Sequence, residues 1–391
     1  MDSLSLLKKK SSLLIIGVTS ISDSYPNVKY KVNTIQSLGQ RDNSVSLCIS
    51  DMGAKDSFWS ISGSAGWLRK ILFSLKLFFS SLFVSIKTIV LRPDRIYILY
   101  PSLVISTIIS IVPKSIRPEI ILDGFISLYD TVILDRQLFS EKSIVARALF
   151  RIEQHSFRSS DLVLVDTLQN ANFYSELFDV SPSKFYALPL SIPQISTAKQ
   201  LPCKEGETLN VVFFGTFVPL HGISTIIDAA RALSDEEWVQ FHIIGDGQEA
   251  PLLERAISDG LSNINWQRDM LSTPDLCKLV EECHVALGIF SEGDKAHRVV
   301  PYKHYYYMCL GRPIISADTE AMRHLTTLDP LANDVIKLVK PNSSDSLVTA
   351  LRDIYEQKDE LARLQLAASD FFKSNLSSKK IEQELRNVFK F

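Results

Sequence analysis

The sequence predicts an α/β protein built from two doubly wound, Rossmann-like domains. Three observations lead to this prediction: short apolar runs alternate with segments of helical length, the runs are continuously apolar, and a polar stretch divides them into two sets. Continuous apolar runs are typical of parallel strands buried on both faces, and helix-length segments between them indicate βαβ units. The chain has 391 residues, of which 46% are hydrophobic, enough for two cores of ordinary size.

The first set of apolar runs predicts six strands in a domain covering residues 1–195. They are Leu13–Val18, Val45–Ile49, Arg95–Leu99, Ile120–Leu122, Leu162–Val165 and Lys184–Leu188. The polar stretch 196–208 is expected to be an interdomain linker.

The second set predicts six strands in a domain covering residues 209–376. They are Asn210–Phe214, Phe241–Ile244, Asn263–Trp266, Val285–Ile289, Pro313–Ser316 and Val335–Val339. Helices are predicted at Ile223–Leu233, Ser346–Glu356 and Ser377–Phe391.

Composition and charge narrow the class of protein. The net charge is −2, so composition gives no support for a nucleic-acid partner, and the apolar content excludes a disordered chain. The five cysteines are odd in number and dispersed, which fits reduced thiols in a cytosolic protein. The charge is uneven: residues 1–120 carry 15 basic and 7 acidic residues, net +8, and the rest carry 27 and 37, net −10. We therefore expect the first half to be attracted to anionic surfaces.

Two N-terminal segments bear on membrane targeting. Lys8–Lys10 precede an apolar run that is too short for a signal peptide, so a buried first strand is favoured. Trp67–Leu91 is long and apolar, but at 100° per residue Arg69, Lys76, Lys87 and Ser80 fall on one polar stripe. This pattern fits a helix at a bilayer surface or a helix packed on a sheet with a solvated edge, and it fits a membrane-spanning helix less well.

Ligands of open parallel sheets bind beyond the carboxyl ends of strands, and two loops of the second half there suit an anion. The loop Phe214–Gly222 precedes a helix whose N-terminus offers N–H groups and a positive dipole. The loop Phe290–Lys303 carries Lys295, Arg298 and Lys303 beside a helix that begins near Pro301 and ends before Gly311. Three cations beside a helix N-terminus suit a diphosphate. A third loop, Ile243–Gly247, reads equally well as an ordinary turn.

The seven histidines show no metal-ligand spacing. We therefore expect no cofactor and no protein-bound catalytic metal.

These stretches resemble the retaining glycosyltransferases of family 4, which have the GT-B fold with two domains facing a cleft. The likeness is carried by residues 213–222, 243–247, 287–290 and 295–315, and in the first half by residues 127–131, 135–136 and 160–167. It implies a nucleotide-sugar donor held mainly by the C-terminal domain and an acceptor held mainly by the N-terminal one. Residues 377–391 are then expected to return to the first domain.

Donor-binding residues are carried over by position from this resemblance. The loop residues that would face the donor phosphates or lie beside them are Gly215, Thr216, His221, Gly222 and Gly245. Those near the base or ribose would be Arg268 and Asp269, and those on the diphosphate and sugar Lys295, Arg298 and Lys303.

The chain departs from the family at three donor-binding positions, His221, Arg298 and Tyr306. His221 stands where the family often has Lys, so a fixed cation becomes a titratable one. Arg298 and Tyr306 stand where the family commonly has two Glu, of which the second meets the donor ribose. A tyrosine hydroxyl can hydrogen-bond there but carries no charge near pH 7.

Two aspartates of the first half are candidates for a base acting on the acceptor. Asp123 follows the predicted strand Ile120–Leu122, and Asp130 lies in the next loop. Each fits a structural turn or cap as well. No protein base is required if the leaving diphosphate takes the acceptor proton.

The sequence thus predicts a cytoplasmic glycosyltransferase, placed at the inner membrane face by a patch of Arg69, Lys76 and Lys87. Its acceptor would be a glycan or lipid-linked molecule of cell-surface polysaccharide or glycoconjugate synthesis, and transfer would be retaining and metal-independent. Two alternatives stay open: a catalytically inactive partner of another transferase, and a sugar-nucleotide epimerase of the same fold. A nicotinamide dehydrogenase is disfavoured, because no G-x-G-x-x-G follows the first strand.

Overall fold

The fold was analysed in a computed structural model that describes residues 12–19, 21, 26–40, 44–50, 67–193 and 199–391, the side chains of 67–71 and 73 excepted. The predicted Lys8–Lys10 segment, linker residues 196–198 and the Arg69 side chain lie outside the described residues. The chain forms two compact units. The first comprises Met1–Ser191 with Glu382–Phe391, and the second comprises Ile192–Ile381.

The first unit contains a parallel six-stranded sheet in the order β2-β1-β3-β4-β5-β6. Its strands are β1 (Leu13–Val18), β2 (Val45–Ser50), β3 (Arg95–Ile98), β4 (Glu119–Asp123), β5 (Leu162–Val165) and β6 (Phe185–Ala187). Its helices are α1 (Pro26–Gly39), α2 (Trp67–Leu91), α3 (Leu103–Ile109), α4 (Ile144–Ser159) and α5 (Leu168–Phe178), with a π-helical turn at Asp130–Asp135.

The second unit contains a parallel six-stranded sheet in the order β12-β11-β10-β7-β8-β9. Its strands are β7 (Leu209–Phe214), β8 (Val239–Ile244), β9 (Ile264–Gln267), β10 (Val285–Leu287), β11 (Ile314–Ala317) and β12 (Ile336–Val339). Its helices are α6 (Ile223–Ala232), α7 (Ala250–Ser258), α8 (Thr273–Glu281), α9 (Asp294–Arg298), α10 (Tyr302–Cys309), α11 (Glu320–Thr326), α12 (Ala332–Val335), α13 (Ser344–Glu356) and α14 (Leu361–Asn375), and α15 (Ser378–Phe389) crosses back to the first unit.

All twelve predicted strands are confirmed, with ends that differ by at most two residues. The described strand pairs are parallel, as the unbroken apolar runs predicted. In β7, Val211, Val212 and Phe213 are all buried, so both faces of this central strand are covered. Burial on both faces is why these strands show no alternation in sequence.

The last residues of the chain pack into the first unit. The Arg95 guanidinium on β3 donates to the Phe389 carbonyl, and the Phe389 ring meets Tyr97 edge-on with centroids 5.2 Å apart. The Tyr186 hydroxyl on β6 also donates to the Glu384 carboxylate. The unit boundary at Ser191 precedes the polar stretch expected as the linker, of which residues 199–208 belong to the second unit.

Candidate functional site

The strand order of the second unit places a topological switch point between β7 and β10. From β7 the chain continues to β8 on one side, and from β10 it continues to β11 on the other. Ligands of doubly wound sheets bind in the crevice that forms at the carboxyl ends of such strands. The loops that leave β7 and β10 are the two in which the sequence predicts anion binding.

The two loops are in contact. The Phe290 amide donates to the His221 carbonyl at 3.1 Å. Gly222 has φ +65°, and a Cβ there would lie 2.9 Å from the Phe290 carbonyl carbon and the Ser291 nitrogen. A larger residue would push the loops apart and strain the backbone. Gly222 therefore holds the two sides of the site together.

The turn after β8 packs against the same loop. The Gly215 amide donates to the Ile244 carbonyl at 3.0 Å, and a Cβ at Gly245 would lie only 2.0 Å from the Gly215 oxygen. The Phe217 amide donates to the Asp246 carbonyl at 3.0 Å. This backbone packing accounts for the glycine at 245, which the resemblance had placed in the donor site.

Lys303 is the most unusual side chain of the site. It comes from the first turn of α10, is 4% exposed, and its Nζ lies 3.7 Å from the centroid of the Phe213 ring. Among the residues that the structure describes, none hydrogen-bonds this nitrogen. Burial therefore holds the pKa of Lys303 well below its ordinary value. A buried amine without a counter-ion suits an anionic ligand that supplies the missing charge.

His221 shares this environment. The position of a Cβ on Gly215 is 3.0 Å from the His221 ring and 3.1 Å from Lys303 Nζ, so both side chains converge on Gly215. The imidazole hydrogen-bonds the Thr216 carbonyl, while its Nδ1 has no partner within the described part of the chain. Burial and the nearby Lys303 hold the pKa of His221 well below its ordinary value. The imidazole is therefore neutral near pH 7 and does not replace the family's lysine charge.

Neighbours of Lys303 on α10 fix this helix against the sheet. The Tyr307 hydroxyl accepts from the Phe214 amide at 3.1 Å, at the end of β7. His304 lies 3.3 Å from the Ser316 hydroxyl, and burial lowers its pKa to about 3. Tyr306 packs edge-on to the Phe214 ring at 6.0 Å and is buried. Sequence reasoning missed Tyr307 and His304, because their roles depend on the strand order.

The N-terminus of α6, where the sequence predicts anion binding, already contacts a carboxylate of the protein. The Glu249 carboxylate, which follows the turn after β8, accepts the Ile223 amide in the first turn of α6. Its burial raises the pKa of Glu249. A carboxylate of the protein thus already uses part of the anion site that the sequence predicts at this helix. The sequence contains this Glu four residues after Gly245, but its contact with α6 could not be predicted without knowing that the two loops meet.

The cationic side chains of the loop after β10 differ in burial and in their contacts. Arg298 is buried, and its Nε donates to the Asp294 carbonyl of its own short helix at 3.2 Å. Lys295 is half-buried on the same helix. The described contacts of Lys295 and Arg298 do not include Lys303, and the convergence of these three cations stays a prediction.

Arg268 is a cation that is already paired. It forms ion pairs with Asp246, Nε to Oδ2 at 3.0 Å, and with Glu254, and its guanidinium lies 5.3 Å from the Trp266 ring. Asp269 is exposed beside it. Two carboxylates of the protein therefore already neutralise Arg268, and its predicted contact with the base or ribose of the donor stays a prediction.

Asp123 forms a buried ion pair with Lys31. Its carboxylate is 1% exposed and accepts from Lys31 Nζ at 2.7 and 2.8 Å and from the Tyr97 hydroxyl at 2.8 Å. Burial, then the Asp123 charge, raises the pKa of Tyr97 well above its ordinary value. A carboxylate enclosed by these donors is not placed to take a proton from an acceptor.

Asp130 lies at the start of the π-helical turn and is also buried. The loop before it is held by Glu153, a residue that sequence reasoning missed. The Glu153 carboxylate accepts from the Ser127 hydroxyl at 2.8 Å and from the Leu128 and Tyr129 amides at 2.9 and 2.8 Å. Burial outweighs these hydrogen bonds and raises the pKa of Glu153 to about 7. Within the described residues, no group of three or more His, Cys, Asp or Glu could hold a metal ion.

Residues 208–357 match the family model described as glycosyl transferases group 1. The match runs from β7 through α13, and so contains Gly215, His221 and Lys303. No curated protein matches the sequence significantly.

Solved structures show the fold. Anabaena HepE in complex with UDP has a TM-score of 0.65 at 14% identity, over 97% of this chain and 99% of that chain. Sucrose-phosphate synthase from Thermosynechococcus elongatus has a TM-score of 0.67 at 11% identity, over 97% and 98%. WaaG, a glycosyltransferase of lipopolysaccharide biosynthesis, has a TM-score of 0.64 at 13% identity, over 96% and 98%. The fold is GT-B, and together with the family match it supports a glycosyltransferase.

Proposed function

We propose that this protein transfers a sugar from a nucleotide-sugar donor to a glycan or lipid-linked acceptor. The observation that carries the proposal is Lys303, a buried amine without a hydrogen-bond partner among the described residues, at the switch point of the second unit. A diphosphate suits such a site, because it supplies negative charge and accepts hydrogen bonds. The known contents of the HepE structures, UDP and UDP-glucose, support a uridine nucleotide as the first donor to test.

The chemical task is to stabilise the leaving diphosphate. Negative charge builds on its oxygens as the sugar bond breaks, and a positioned cation in a dry site lowers that barrier. A phosphate beside Lys303 raises the pKa of the amine and so favours its charged form. Gly215 leaves room for the phosphate where a side chain would meet His221 and Lys303.

The family resemblance supports retaining, metal-independent transfer of the family 4 type. Lys303 supplies in this scheme the positive charge that a divalent ion supplies in metal-dependent transferases. No protein base is needed at the acceptor if the leaving diphosphate takes its proton, which agrees with the enclosed position of Asp123. The lipopolysaccharide transferases among the similar structures support an acceptor from cell-surface glycan synthesis.

The test is product analysis with UDP-, GDP-, ADP- and dTDP-sugars, a panel of glycan and lipid-linked acceptors, and an excess of chelator. We expect transfer from one donor, a product with the donor's anomeric configuration by NMR, and turnover that persists with chelator. Turnover lost with chelator and restored by Mg²⁺ contradicts metal independence. An epimerised sugar nucleotide formed without acceptor favours the epimerase, and donor binding without turnover across the panel favours the inactive partner.

A further inference from the structure

Helix α2 of the first unit buries small side chains and exposes large apolar ones, the reverse of a helix that packs on a hydrophobic core. Among the side chains of α2 that the structure describes, the buried ones are small and mostly hydroxylated: Ser81, Val84, Ser85 and Thr88. The three hydroxyls among them donate to carbonyls of their own helix, Ser81 to Leu77, Ser85 to Ser81 and Thr88 to Val84, at 2.7 to 2.8 Å. The helix thus packs on its unit through a narrow face of small side chains.

Most of the exposed large apolar side chains of α2 lie on its outer face. Phe79 is 62% exposed, Phe83 65% and Val90 73%. Further exposed apolar side chains on this side of the helix or at its edges are Leu72, Leu75, Phe78, Ile86 and Ile89. At 100° per residue, Phe79 and Val90 point about 180° and 160° from Thr88, so the outer face is centred opposite the buried one. An apolar face of this extent on one helix indicates that something apolar covers it.

Two lysines on the same helix indicate which kind of apolar partner covers this face. Lys76 and Lys87 are exposed and lie about 20° apart on the helical wheel, along one edge of the outer apolar face. The stem of a lysine in this position extends along an apolar surface while the ammonium reaches the polar layer. Aromatic and aliphatic side chains flanked by a line of lysines are typical of a helix lying in the plane of an anionic bilayer. The excess of basic residues in 1–120 adds the same preference over the wider surface.

We propose that the outer face of α2 binds an anionic lipid bilayer, with Phe79, Phe83 and Val90 inserted among the acyl chains and Lys76 and Lys87 at the headgroups. The stretch Ser74–Leu91 also meets the length and composition of a membrane span. The span does not fit, because Ser81, Ser85 and Thr88 are already packed against the unit. The proposal concerns the surface of the first unit and does not depend on the donor site.

The experiment is vesicle flotation of the full-length protein with phosphatidylcholine alone and with added phosphatidylglycerol. We expect binding that rises with the phosphatidylglycerol fraction and falls with salt. The double change Lys76→Glu with Lys87→Glu should reduce partitioning tenfold or more, on the order of fivefold for each lysine lost near an anionic surface. The matched control, Lys204→Glu with Lys278→Glu, changes two exposed lysines of the second unit and should leave binding unchanged.

A second variant, Phe79→Ser with Phe83→Ser, should abolish flotation while the circular dichroism spectrum is retained. Equal flotation of wild type and both α2 variants would overturn the proposal. So would a dimer in sedimentation velocity that the phenylalanine variant dissociates without altering flotation, since a second copy would then cover the face. Membrane-bound protein should be released at alkaline carbonate pH, and retention there would indicate a spanning helix instead.

Discussion

The buried amine of Lys303 costs free energy unless a ligand supplies a partner for it. An amine that is removed from water loses its hydration, and the Phe213 ring replaces only part of that stabilisation. The protein retains a lysine at a buried position where a methionine of similar length would pack without this cost. We infer that Lys303 binds an anion, and we propose that this anion lies beside Gly215, where the Lys303 and His221 side chains converge.

Asp123 differs from Lys303, because Lys31 and Tyr97 pair its buried charge. We expect Asp123→Asn to lower the free energy of unfolding by about 3–5 kcal/mol, since it leaves Lys31 charged and unpaired in the core. Urea denaturation measures the loss. The double variant Asp123→Asn with Lys31→Met should recover much of it, because no unpaired charge remains.

Asp123→Asn also distinguishes a structural role of Asp123 from a catalytic one. The fraction of Asp123→Asn that is folded should retain the wild-type turnover number. A variant of wild-type stability whose turnover falls by orders of magnitude would show that Asp123 is a base after all.

At the scale of elements, the loop before the π-helical turn depends on the Glu153 side chain of α4. The folded-state pKa of Glu153 is raised to about 7, whereas an unfolded glutamate titrates near 4.5. Between these values the folded state binds more protons than the unfolded state, so this group makes stability fall as pH rises from about 4.5 to 7. Its contribution is largest below the unfolded value.

We therefore expect Glu153→Gln to remove this fall. The measurement is the free energy of unfolding across the range from about pH 5 to pH 8 for wild type and variant, whose difference should shift in favour of Gln as pH rises. The exposed Glu141→Gln is the matched control, and it should show no such trend. A difference that stays constant over this range would show that Glu153 is not buried as described.

The sequence predicts elements better than contacts between them. Continuous apolar runs were sufficient for twelve strands, because burial on both faces leaves that pattern in each strand separately. The meeting of Gly222 with Phe290, and of Glu249 with Ile223, requires the strand order, which no local pattern contains. The hydrogen bond from Arg298 Nε to the Asp294 carbonyl was not predicted either, because it depends on the short helix at 294–298.

At the scale of the whole molecule, the chain's last ten residues return to the unit that holds its first strand. Deletion of 382–391 removes Phe389 from Tyr97 and Arg95, and Glu384 from Tyr186. We expect hydrogen exchange to accelerate in β3 and β6 and to stay unchanged in β7 and β8. The exposed Phe391, deleted alone, is the control. Faster exchange in β7 would contradict the assignment of this segment to the first unit.

The central claim is that Lys303 binds a donor diphosphate, and calorimetric titration of UDP and UDP-glucose into wild type and Lys303→Met tests it most directly. We predict binding to wild type, a loss of affinity on the order of 10–100-fold in the variant from the missing charged hydrogen bond, and a higher melting temperature of the unliganded variant because a buried amine is gone. The exposed Lys278→Met should match wild type in both. Equal affinity in Lys303→Met, with a lower melting temperature, would show that the lysine is structural and would contradict the account.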